Sequence, residues 1–215
     1  PAGMKEALLM SVTFQDIQNS VEIRTYITQA DASLIALGFT EHSFAHVGRC
    51  ADVAARILNE LGYPAREVEL ARIAAFMHDI GNVVNRHDHA ISGATMAFRI
   101  LDKMGMEPAE VATVITAIGH HDDSTAFPVN PVAAALILAD KTDVRRSRVR
   151  NPDISSFDIH DRVNYAVTSS ETKISDDHKT ITLTLSVDTE MCAVMDYFEI
   201  FLGRMILCRK AAAKL

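Results

Sequence analysis

Over its first two-thirds the chain alternates long amphipathic stretches with short Gly, Pro or Asn breaks. Apolar residues recurring every three or four positions form the inward stripe of a helix, and short breaks allow only compact connections, so the pattern predicts a helical bundle. A first helix is expected over much of Thr13 to Leu37, ending at Gly38. Thr40 is placed to cap a second, whose stripe runs Phe44, Val47, Ala51, Ala54, Leu58 and Leu61. A third is expected from about Arg66 to Ile80 with Gly81 as its stop, and a fourth from His89 to Met104, capped by Asp88 and closed by Gly105. Pro108 opens a fifth that reaches His121, and a sixth spans about Val132 to Asp143.

After Pro152 the pattern changes. Ile181, Leu183, Leu185 and Val187 alternate with Thr182, Thr184 and Ser186, the period of a half-buried strand. With an earlier strand around Val167 to Ile174 and a polar turn at Asp176-Asp177-His178, this predicts a β-hairpin, followed by a last amphipathic helix over about Glu190 to Ala212. With 215 residues and 48% hydrophobic composition, one domain over 1–215 is expected. Its core is a mainly α bundle over about 40–150, and the hairpin and final packing helix over about 160–215 form an appendage. A short hairpin needs something to pack on, which suggests a homodimer through this segment.

A net charge of −7 argues against binding a nucleic acid polymer or an anionic membrane surface. No run of about 18 apolar residues could span a bilayer, and no basic-then-apolar leader opens the chain, so the expected location is cytoplasmic. Cys50, Cys192 and Cys208 lack zinc-site spacing and read as buried free thiols.

Histidine points to chemistry, since seven of the nine lie between His42 and His121. His78-Asp79 closes an apolar helix, where a carboxylate needs a partner. Asp140 continues the stripe of Ala133, Leu136 and Ile137, and His121 that of Val111, Val114, Ile115 and Ile118; His120 lies about 100° away. Inward histidines and aspartates on separate helices are best explained by converging on metal ions.

These residues resemble the ligand set of the HD superfamily of phosphohydrolases. His78-Asp79-Ile80-Gly81 matches the HDIG form of its core motif, Ala139-Asp140-Lys141 resembles the surroundings of its final Asp, and His46-Val47-Gly48-Arg49-Cys50-Ala51 resembles its start, with His42 ranked second as first ligand. His89-Ala90-Ile91-Ser92-Gly93 and His120-His121 resemble the extra ligands of two-metal branches, including HD-GYP phosphodiesterases and bacterial diadenosine tetraphosphate hydrolases. The resemblance implies two divalent ions bridged by Asp79. His46, His78 and Asp140 would serve one, and His89 with His121, or His120, the other. No Gly-Tyr-Pro follows His120-His121, so cyclic di-GMP is not the expected substrate.

Imidazole and carboxylate ligands suit iron, manganese, zinc, cobalt or nickel without selecting among them, and iron or manganese is the expected metal. Such a pair activates a bridging water against a small-molecule phosphate ester of a nucleotide or dinucleotide, with Asp79 and Lys141 as catalytic residues. Asp122 and Asp123 are further candidates for protonating the leaving oxygen. Arg145 and Arg146, within the basic run to Arg150, and Arg86 are the expected phosphate contacts. The rival expectation is a non-catalytic nucleotide- or metal-binding module.

Overall fold

A computed structural model describes residues 11–215. Its described helices are α1 (Phe14–Asn19), α2 (Val21–Ala36), α3 (Phe44–Glu60), α4 (Ala65–Met77), α5 (His89–Lys103), α6 (Pro108–Gly119), α7 (Pro131–Lys141), α8 (Ile159–Ala166) and α9 (Val194–Lys214). Strands β1 (Val167–Ile174) and β2 (Ile181–Val187) form one antiparallel hairpin, with Val167 opposite Val187 and Ile174 opposite Ile181. The fold is mainly α with a C-terminal hairpin and final packing helix. No described helix is long and apolar enough to cross a membrane.

The main core lies among α3, α4, α6 and α7, where Val47, Ala54, Ile73, Met77, Ile118 and Leu136 are fully buried. Fully burying each Ile, Leu or Met contributes about 1.5–3 kcal/mol relative to leaving it in water. α9 packs Leu207, Cys208 and Ala211 on Ala134, Ile137 and Leu138 of α7. A third cluster of Val144, Val163, Val167, Tyr197 and Phe201 joins α8, the hairpin and α9 to the chain just beyond α7. All three cysteines are buried and free.

Several boundaries differ from expectation because local hydrogen bonding outweighs periodicity. The Thr13 to Leu37 stretch is two helices: Ser20 adopts an extended conformation and its hydroxyl accepts from the Ile23 amide, starting α2. Ser43, not Thr40, caps α3. Asp88 precedes α5 in a left-handed conformation at φ 57°; its carboxylate pairs with His87, and its carbonyl, not its side chain, accepts from the first turn. α6 ends at Gly119, so His120 and His121 lie just beyond it. α7 stops at Lys141, leaving Asp143 outside the helix, and α9 starts at Val194 instead of Glu190. α8, capped by Asp158, has no counterpart in the sequence reading.

Gly81 is not a helix stop. α4 ends at Met77, His78 is its C-cap, and Ile80–Val83 form a 3-10 turn. A Cβ on Gly81 would collide with the His89 carbonyl, the Gly93 amide and the Ser92 hydroxyl; two of these are backbone groups with little room to yield. The glycine is needed for this close approach, which sets the start of α5 against the turn carrying Asp79. Gly81→Ala is expected to cost about 1–3 kcal/mol and to displace His89. Thermal melts with a metal titration check this, and an unchanged melting point would show that the contact yields cheaply.

Candidate metal centre

His46 comes from α3, His78 and Asp79 from the end of α4, His89 from the start of α5, His121 from the exit of α6, and Asp140 from the last turn of α7. His46, His78, Asp79, His89 and His121 are almost fully buried. In each histidine Nδ1 meets an acceptor: Asp143 Oδ2 for His46 at 2.7 Å, and the carbonyls of Ala75 for His78 at 2.7 Å, Arg86 for His89 at 3.0 Å and Ile118 for His121 at 2.6 Å. These groups only accept, so Nδ1 carries the proton and each Nε2 of a neutral ring presents a lone pair.

Those Nε2 atoms converge on Asp79 from two sides. Asp79 Oδ2 lies 3.6 Å from His46 Nε2 and 3.2 Å from His78 Nε2, while Asp140 Oδ1 lies 3.4 and 3.9 Å from the same two nitrogens. Asp79 Oδ1 lies 3.5 Å from His89 Nε2 and 3.9 Å from His121 Nε2. Donors about 2.1 Å from one ion stand roughly 3.0–3.5 Å apart, and these separations of 3.2–3.9 Å are close to those of two ligand shells, with one Asp79 oxygen in each and Asp140 Oδ1 in the first.

Two further features fit a cation. His78 Nε2 and Asp79 Oδ2 are buried without a hydrogen-bond partner. His89 Nε2 and His121 Nε2 face each other at 3.2 Å, although both rings already donate through Nδ1. Burial, with His78 and Lys141 nearby, lowers His121 to about 3, so a proton does not occupy that gap at neutral pH. Divalent cations on the two sides of Asp79 would satisfy these atoms.

The surroundings keep the carboxylates ionised. Burial opposes the charge on Asp79, but His78 and then His42 and His46 more than offset it and hold the acid well below its ordinary range. Asp140 is likewise lowered against burial, chiefly by Lys141, whose Nζ lies 2.7 Å from Asp140 Oδ2 and 3.1 Å from Asp123 Oδ1. Lys141 itself is buried, yet Asp140 and Asp123 raise it above the ordinary lysine value. Clamped in this way, it suits holding Asp140 better than giving up a proton. Asp122 is held ionised against burial by its bond from Ser124, so it too is poorly set up as a proton donor.

Of the adjacent histidines, His121 joins the cluster. His120 turns back, its Nδ1 donating to the Thr116 carbonyl at 2.9 Å. His42 donates to the Thr40 carbonyl and lines the pocket, its ring 5.4 Å from that of His46, outside both shells. A neighbouring group of His46, Cys50 and Asp143 also lies close together. There, however, His46 Nδ1 is spent on Asp143 and burial pushes the Cys50 thiol up, which disfavours a thiolate ligand.

The centre opens into a pocket of about 350 Å³, room for a small ligand. Arg86, Lys141, Arg148 and Arg204 line it; Arg145 and Arg146 do not. Arg145 is used by Asp143 and Glu41, and Arg146 by the Tyr165 carbonyl and Asp188, so both expected phosphate contacts are consumed in tying loops together. Arg86 has no acidic partner among the described residues and lies over the Phe39 ring.

Sequence reasoning missed Asp143, Asn82 and Arg204. Asp143 orients His46, and Asn82 donates to Asp79 Oδ1 at 2.9 Å. The three-residue spacing from Asp140 to Asp143 and from Asp79 to Asn82 was the available signal; for Arg204 there was none.

Residues 43–145 match the HD domain family. The chain contains an HD domain. The match runs from the cap of α3, one turn before His46, to just past Asp143, and so encloses every residue of both shells. HD domains form a superfamily of metal-dependent phosphohydrolases, and this one has histidine and aspartate groups that could hold metal. Comparison with curated proteins and with solved structures gives no match.

Without metal, the HD domain should lose stability on acidification. His121 binds its proton only near 3 when folded but near 6.5 when unfolded, so between these values the unfolded chain holds more protons and stability falls as pH falls. From pH 7 to 5 this amounts to roughly 2 kcal/mol. His42 and His89, also lowered by burial, add to it, while His78, raised by Asp79 against burial, partly opposes it. Urea melts of chelator-treated protein at the two pH values check the sign; equal stabilities would contradict it.

Proposed function

We propose that this HD domain is a two-metal phosphohydrolase acting on a small phosphate ester, of the nucleotide or dinucleotide class. His46, His78, Asp79 and Asp140 would hold one ion, and Asp79, His89 and His121 the other. One observation carries the reading: the two oxygens of a single buried carboxylate face two separate sets of imidazole nitrogens. When bound, such ions supply an activated water and neutralise charge on the phosphoryl oxygens.

The chain's own residues do the positioning. Backbone carbonyls and Asp143 fix the ring orientations, Lys141 holds one oxygen of Asp140 so that the other faces His46 and His78, and Asn82 steadies Asp79. Arg86 is the phosphate contact carried over from the sequence reading, pre-oriented by Phe39 and by its bond to Asn82. With Lys141 and Asp122 both poorly placed to protonate the leaving oxygen, charge stabilisation by arginine takes that part.

The test is elemental analysis of protein purified without added metal, followed by a hydrolysis screen of p-nitrophenyl phosphate, nucleotides and dinucleotides with manganese or iron. Phosphate release dependent on metal supports the reading. Metal binding without turnover of any ester favours the binding module, and no metal after reconstitution overturns both.

A further inference from the structure

α9 lies beyond the residues matched by the HD domain, yet it reaches the metal pocket. Arg204 lines that pocket together with Asp79, His89, His121 and Asp140. Its Nε donates to Asp123 Oδ2 at 2.8 Å, and its guanidinium lies 4.6 Å from the ring centroid of Phe201, which is itself buried. These contacts use one of the five N–H donors and hold the plane of the group. Among the described residues the terminal nitrogens have no hydrogen-bond partner.

The other basic groups around the pocket are differently engaged. Arg148 spends its donors on the carbonyls of Glu41 and Asp143, and Lys141 is held between Asp140 and Asp123. Arg86 is the one that shares the arrangement of Arg204, stacked on an aromatic ring, tied by one hydrogen bond and otherwise unengaged. A fork of this kind, planar and already oriented, is the geometry that binds phosphate oxygens in pairs. Asp123 pairs with Arg204 and Asp140 with Lys141, Arg86 has no acidic partner among the described residues, and Asp158, the cap of α8, and Asp161 within it also line the pocket.

We propose that Arg204 binds the phosphate of the substrate through its terminal nitrogens, making the C-terminal helix part of the active site. This rests on the phosphohydrolase reading for the substrate's class, but phosphate binding is measurable without turnover. The C-terminal segment is then a wall of the pocket that the HD core by itself lacks.

The experiment is calorimetric titration of the full chain with inorganic phosphate and with pyrophosphate, both after chelation and after loading with manganese. The variants are Arg204→Gln, Arg204→Lys and, on the exposed side of the same helix, Arg209→Gln. Arg204→Gln should weaken phosphate binding by about tenfold or more, as expected for losing charge-assisted hydrogen bonds. Arg204→Lys, which keeps the charge and loses the fork, should lose less, and Arg209→Gln should bind as the parent does. If Arg204→Gln folds poorly by its thermal melt, the lysine variant carries the comparison. Binding within about twofold of the parent for both Arg204 variants, an equal loss in Arg209→Gln, or no phosphate binding by the parent in either form would overturn the proposal. Phosphate bound through Arg204 with no ester hydrolysed would leave it standing and remove the hydrolase reading.

Discussion

If the centre holds two ions as proposed, Asp79→Ala should strip the protein of both at once. Asp79 Oδ2 faces His46 and His78, and Oδ1 faces His89 and His121, so one truncation removes a donor from each shell. It also leaves four histidine nitrogens with Asp140 beside His46 and His78 and with Asp122 Oδ1 3.9 Å from His89 Nε2. Elemental analysis is expected to fall from about two ions per chain to about none, whereas His121→Ala, which touches one shell, should retain about one. Phosphate-ester hydrolysis should fall about a thousandfold or more in Asp79→Ala, since metal ions supply several kcal/mol of transition-state stabilisation. Circular dichroism must show the helical fold intact for the comparison to count. An Asp79→Ala protein that keeps one ion would mean that the carboxylate serves a single shell.

Asp143→Ala should damage both stability and metal binding, although Asp143 belongs to neither shell. Its carboxylate is fully buried; it accepts from His46 Nδ1 and lies 2.9 Å from Arg145 Nε and 3.1 Å from Arg49 Nε. Arg148 donates to its carbonyl. The bond from His46, and then Arg148 and Arg145, keep the acid far below its usual range against the pull of burial. Truncation leaves buried His46 Nδ1 without its acceptor and takes a carboxylate from Arg145, which keeps Glu41, and from part-exposed Arg49; breaking a buried ion pair from one side costs about 3–5 kcal/mol. For a chain of this size that is a melting-point drop of roughly 6–20 °C. His46 also loses the acceptor that fixes its ring, and losing such a supporting partner lowers metal affinity by about 10–100-fold. Asp143→Asn separates the two effects: its amide oxygen still accepts from His46, so metal affinity should recover more than stability does. Thermal melts and metal titrations on both variants make the comparison. Equal losses of affinity in the two variants would show that charge, not ring orientation, is what Asp143 supplies.

The bundle and the hairpin were legible because helix and strand periods are local properties of the chain. Stripes such as Phe44-Val47-Ala51-Ala54 and the alternation from Ile181 to Val187 hold whatever packs against them. Boundaries were less legible, because caps depend on single hydrogen bonds: Ser20 splits one expected helix into two, and Ser43 takes the role given to Thr40. α8 escaped altogether, being eight residues long and too short to display a period.

By itself the sequence determined which segments carry the histidines and aspartates and, for Asp140 and His121, which way they face, since an inward stripe must bury whatever continues it. Asp140 and His121 followed from that alone, and HDIG marked the turn where Asp79 sits. Only the tertiary structure decided how Asp79 divides its two oxygens, that His121 enters while His120 turns away, and which arginines stay free. Those outcomes depend on contacts between groups far apart in the chain: Asp143 reaches His46 across 97 positions, and Arg204 reaches Asp123 across 81. Arg145, Arg146 and Arg204 are chemically alike, and what separates them is whether a carboxylate or carbonyl elsewhere in the fold has already taken their donors.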